Sequence, residues 1–127
     1  MSETARNARQ VIHSLRGYEA RVQEVTRLLD GKHADSDSET AQLQDLIKNL
    51  RDDLVTAAQR VSSARVEARL NAVERVFFAP AVIKAAAILT ISVSSQPTKS
   101  HWLSALTSIR MDVVHRLRQL ELMYPDP

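Results

Sequence analysis

Cysteine is missing from the chain, which excludes disulfides, thiolate metal sites and a cysteine nucleophile together. Nothing in the covalent chemistry therefore calls for an oxidising compartment. Glycine is nearly as scarce, present only as Gly17 and Gly31. Two glycines cannot build a phosphate-cradling backbone loop, and neither G-x-x-x-x-G-K-[ST] nor G-x-G-x-x-G occurs. They are also too few for a protein rich in β-hairpins. Aromatic residues (Tyr18, Phe77, Phe78, Trp102 and Tyr124) make up 4% of the 127 residues, so the core must be built from Leu, Val, Ile and Ala. A dominant charge is lacking too. The 17 basic residues face 15 acidic ones, a net charge of +2, whereas a chain devoted to nucleic acid is usually more lopsided.

Catalytic patterns are absent as well. There is no G-x-S-x-G, no H-E-x-x-H and no Glu-x-x-His pair of the di-iron type. His13, His33, His101 and His115 each stand alone, with no second histidine within a helical turn. His33, Asp35, Asp37 and Glu39 resemble the start of a calcium loop, but Thr40 and Leu46 stand where its glycine and closing glutamate belong. Solvated helix-capping residues account for that segment. The expectation is a non-enzymatic chain with no catalytic residue, cofactor or metal site.

What the chain does contain is heptad spacing. Ala8, Leu15, Val22 and Leu29 fall seven apart, with Val11, Tyr18 and Val25 three residues after the first three. Leu43, Leu50, Ala57 and Ala64 repeat the pattern, with Ile47, Leu54, Val61 and Ala68 four residues after each. Such a repeat belongs to helices packed side by side, as in a coiled coil or bundle. Hydrophobic residues reach 44%, enough for a packed core.

The predicted fold is all-α: an elongated antiparallel helical hairpin or four-helix bundle forming one domain over 1–127. Its helices are expected at about 3–30, 39–79, 80–93 and 101–124, with the stripe of the second shifting after Ala68 to Leu70, Val73 and Phe77, and with a break near Ser62-Ser63 as the alternative that would shorten it. Ser2 is placed to cap the first and Gly31 to close it. Gly17, mid-helix, marks either a close contact or nothing. Pro80 is expected to end the second helix or open the third. The third helix, AVIKAAAILTISV, is apolar nearly all round and should be buried in the bundle or in an interface. The fourth carries the stripe Trp102, Leu106, Ile109, Val113, Leu117, Leu120 and Tyr124. The first helix is expected to cover the first half of the second, and the last two helices its second half.

Two surfaces are candidates for function. Arg60, Arg65, Arg69 and Arg75 line the second half of the second helix, and Arg110, Arg116 and Arg118 the fourth; such faces can hold phosphates. Phe77, Val82, Ile83, Ile88, Ile91 and Trp102 are the candidate interface residues. The apolar run from Val76 to Val93 holds one charge, Lys84, and is near the lower length limit for a membrane span. The N-terminal MSETARNARQ lacks the apolar stretch of a secretory signal, so the expected location is cytoplasmic. These features together predict a helical protein–protein interaction or scaffold/adaptor protein acting as a homodimer with an unidentified protein partner. The alternatives are an accessory nucleic-acid-binding protein using the two arginine faces, and a chaperone-like or membrane-docking helical protein.

Overall fold

A computed structural model describes residues 3–31, 37–62, 69–94 and 99–125. The fold is all-α, with four helices among the described residues: α1 (Glu3–Asp30), α2 (Asp37–Ser62), α3 (Ala79–Ser94) and α4 (Lys99–Met123). No strand occurs among the described residues. The calcium-like segment around His33 and Asp35, together with Ala64, Arg65 and Ala68, lies outside the described residues, as does the side chain of Leu43.

The expected 39–79 helix is divided. α2 ends at Ser62, and a new helical run begins after Asn71. Asn71 accepts at Oδ1 from the Glu74 N–H at 2.8 Å, while its own N–H donates to Glu74 Oε1 at 3.2 Å. That reciprocal pair is a capping box, and it satisfies two N–H groups that a helix start otherwise leaves orphaned. Arg75 adds to the same corner by donating from Nη2 to the Leu70 carbonyl at 2.8 Å.

Pro80 lies in the first turn of α3, one of its two expected places. The run passes through a π-helical turn, Glu74–Phe78, and continues directly into α3. Ala79 donates its N–H to Glu74 O, five residues back. Proline has no N–H for the Val76 carbonyl, and in an α-helix its ring would clash with that group. Widening one turn to π geometry lets the helix absorb the proline instead of breaking at it.

The stripes on α1 and α4 are buried as the spacing predicts. Ala8, Val11, Leu15, Val22, Val25 and Leu29 share one core with Ile47, Leu50 and Leu54 of α2 and with Trp102, Leu106, Ile109, Val113, Leu117 and Leu120 of α4. The choice of neighbours differs from expectation. α2 packs chiefly on α3, and α1 chiefly on α4, while the sequence neighbours α1 and α2 touch much less. They meet at the level of Tyr18, Val22 and Leu54, where Arg21 also pairs with Asp53. The Tyr18 ring lies 6.4 Å from that of Phe78, tying α1 to the π turn. Burial, and then the nearby Asp53 carboxylate, push the Tyr18 hydroxyl above the usual tyrosine value.

Two substitutions test this packing. Leu50 is fully buried. Leu50→Asp is expected to cost on the order of 3 kcal/mol or more, because it buries an unpaired carboxylate in an aliphatic core. Unchanged urea unfolding would remove Leu50 from the core. Gly17 has open space around the position of a Cβ, so it marks no close contact. Gly17→Ala should therefore stabilise by up to about 1 kcal/mol through helix propensity alone, read in the same unfolding experiment.

Candidate interaction surfaces

Helix α4 separates two seams. Arg16 of α1 pairs with Glu121 at 2.6 Å, and Glu19 lies 3.9 Å from Arg110, so α1 and α4 run antiparallel. On its other flank α4 meets α3, also antiparallel: Val76 and Phe77 lie by Leu122 and Met123, and Ile88 and Ile91 by His101 and Ser108. The two seams differ in chemistry.

The α3 side exposes several large apolar side chains. Val76 is 58% exposed, Ile83 43%, Ile91 70%, Leu122 83% and Met123 59%. Val76, Ile83 and the exposed Ala87 and Ile91 recur at intervals of seven, four and four, on one arc of the helical run. A groove of about 550 Å³ between Val76, Phe77, Gln119, Leu122 and Met123 continues this surface onto α4. In the middle of the seam sits a charge cluster. Asp112 accepts from Lys84 at 3.2 Å and from Arg116 Nε at 2.9 Å. Burial pushes the Asp112 carboxyl up, but the two hydrogen bonds and the two positive charges outweigh it, and the group sits below the ordinary carboxylate range.

The α1 side is polar and cationic. Gln23, Arg27 and Asp30 of α1 face Leu106, Arg110, Met111 and Arg118 of α4 across a groove of about 750 Å³. A second groove, of about 390 Å³, lies between Arg9, His13 and Arg16 and the end of α4 at Glu121 and Tyr124.

The sequence-derived candidates are thus redistributed. Ile83 and Ile91 are exposed and Ile88 half-buried, but Phe77, Val82 and Trp102 are buried in the bundle's own core, where they stabilise the fold. The three arginines of α4 do not share one flank. Arg110 and Arg118 line the α1 seam, whereas Arg116 is bound to Asp112 on the opposite flank of α4. Arg75 holds the Leu70 carbonyl, Arg60 is exposed near the end of α2, Arg69 is exposed in a turn, and Arg65 lies outside the described residues. Sequence reasoning missed Arg9, His13 and Arg16, whose spacing of four and three residues places them on one side of α1. The run Glu74–Ser92 is long and apolar enough to cross a membrane, with mean hydropathy 1.6, yet Ala81, Val82, Ala85 and Leu89 within it are core residues of the bundle. Among the described residues no group of three His, Asp or Glu side chains is placed to hold a metal ion. Comparison with protein-family models, curated proteins and solved structures finds no match.

The Asp112 cluster yields a pH prediction. A carboxyl whose folded value is depressed stabilises the fold above its ordinary titration range, and that contribution is lost as pH falls through the folded value. Asp112→Asn should destabilise the protein by about 1–2 kcal/mol at neutral pH, a figure held down because Lys84 is largely exposed. The gap to the unsubstituted protein should close below about pH 4, as measured by thermal unfolding across pH.

Proposed function

We propose that the chain is a helical protein-interaction module that self-associates through the exposed arc of α3 and the adjoining end of α4. The observation that carries this reading is the exposure of Val76, Ile83, Ile91, Leu122 and Met123, at 43% to 83%, with Val76, Leu122 and Met123 lining one groove. Apolar side chains scattered singly need no explanation, but a contiguous set on one helical arc is the kind of surface that marks association. Small residues support close approach there: Ala87 lies between Ile83 and Ile91, so another helix can come near the backbone.

A second copy is the favoured occupant because the face can be covered by its own kind without stranding charge. Lys84 and Arg116 already hold Asp112, so an isologous contact need not bury a lone ion. In this reading the core does the folding and the α3 arc does the recognition. A scaffold or adaptor role follows from a bundle that dimerises on one flank and leaves the other for a further partner.

Size-exclusion chromatography with light scattering tests this. The protein should be a dimer with a Kd in the micromolar range or below. Ile83→Glu with Ala87→Glu, both on the exposed arc, should give a monomer with little change in thermal stability. A monomeric unsubstituted protein at roughly 100 µM sinks the proposal, since a weaker Kd corresponds to less than about 5.5 kcal/mol of binding.

A further inference from the structure

The two grooves on the α1–α4 seam share one register. In one, α1 contributes Arg9, His13 and Arg16; in the other, Gln23, Arg27 and Asp30, each 14 residues further on. The same offset relates Thr107, Arg110 and Met111 of α4 to Glu121, Tyr124 and Pro125. Fourteen residues are two heptads, so each helix presents one face to both grooves, and the grooves form a single track. From Arg9 to Asp30 the track follows roughly 30 Å of α1.

Its lining is rich in arginine, although Glu24, Glu19 and Glu121 pair with Arg27, Arg110 and Arg16. The lining holds five of the chain's 17 basic residues (Arg9, Arg16, Arg27, Arg110 and Arg118) and two of its 15 acidic ones (Asp30 and Glu121). Arg16–Glu121 and Arg27–Glu24 join exposed side chains, and such pairs exchange partners at little cost, whereas Arg110 lies 3.9 Å from Glu19, which is only 23% exposed. Between the cations the floor is apolar: Ile12, Leu106 and Val114 line it, and Met111 is 68% exposed.

We infer that this track is the docking site for an acidic amphipathic helix of a partner protein. A helix of about 20 residues matches its length, and the trough between two antiparallel helices is the natural seat for a third. Leucine-type residues on the incoming helix would cover Met111 and Val114, while its flanking carboxylates would meet Arg27, Arg110 and Arg118. Nucleic acid suits the track less well. Phosphates need no apolar floor, and bases need stacking rings, of which Tyr124 alone (apart from the histidines) lines the track. The inference does not rest on self-association through Val76, Ile83 and Ile91, none of which lines the track, although Leu122 follows Met111, His115 and Arg118 on one face of α4 and adjoins it.

The test is fluorescence anisotropy with a labelled synthetic helix of about 20 residues, carrying Leu at heptad core positions and Glu on both flanks. The comparison probes are the same peptide with Lys for Glu and a single-stranded DNA oligomer of similar length. The acidic peptide should bind and the basic one should not, and binding should weaken several-fold as salt rises from roughly 50 to 300 mM. Arg110→Glu with Arg118→Glu should reduce affinity about tenfold or more. Met111→Glu alone should also weaken it, which keeps the test decisive should the double variant lose helicity by circular dichroism. Arg60→Glu, and the Ile83→Glu with Ala87→Glu pair, should leave it unchanged. Equal binding of the basic peptide, indifference to both the double variant and Met111→Glu, loss of binding in the α3 variant, or preference for the DNA would each overturn the assignment.

Discussion

Helix α4 is packed on two sides at once, and the bundle depends on that double contact. Leu106, Ile109, Val113, Leu117 and Leu120 are each at most 5% exposed, although α4 has α1 on one flank and α3 on the other. A helix can serve two neighbours only if its apolar stripe is wide and its side chains are compact. The aliphatic composition meets that demand: fewer rings and more Leu, Val and Ile let α1 and α3 both approach. Without α4, α1 would lose its main partner, since its contact with α2 is small. The heptad stripe on α1 cannot stabilise a helix alone; its burial against α4 does.

A second constraint acts at the entry to α3. The capping box at Asn71 and Glu74 sets where the helical run begins, and Pro80 stands less than three turns further on. Between those two fixed points and just past the proline, the chain must also bury Val73, Phe77, Ala81 and Val82. A regular α-helix could not accept the proline ring without a kink. The π turn reconciles these requirements by adding a residue to one turn and rotating α3 relative to it.

The buried face of each long helix is legible in the spacing, because periodicity reports which side of a helix leaves water. Ala8, Leu15, Val22 and Leu29 on α1 and the α4 stripe from Trp102 to Leu120 are core residues, as their spacing predicts. Periodicity does not report which helix covers that face, and adjacency in the chain points wrongly to α2 as the main partner of α1. The division of the long second helix has a signal, Asn71-x-x-Glu74, together with the shift of the stripe to Leu70, Val73 and Phe77. A stretch without glycine or proline hides it, since a capping box competes with continuation only when tertiary packing favours a turn. The cationic track is less accessible still. Arg9 and Arg118 are separated by most of the chain, and only the antiparallel packing of α1 on α4 puts them on one surface. Charge counted along single helices points to Arg60, Arg75 and Arg116, which the fold scatters.

The near-neutral net charge therefore conceals a segregated surface. Five arginines, three of them paired with carboxylates, line the α1 flank of α4 beside the exposed Met111, and exposed Val76, Ile91 and Met123 lie along the α3 flank. Neither arrangement serves the fold. Exposed ion pairs such as Arg16–Glu121 contribute little to stability, and exposed apolar side chains such as Leu122 and Met123 contribute less than buried ones. A bundle optimised for stability alone would intersperse both signs around its surface and keep large apolar residues inside. The two flanks depart from that pattern in different chemical directions while sharing one rigid helix between them. The two proposed partners, a second copy on the α3 arc and an acidic helix on the α1 track, would each contact α4 mainly from its own side and would meet at Leu122, one helical turn after Arg118.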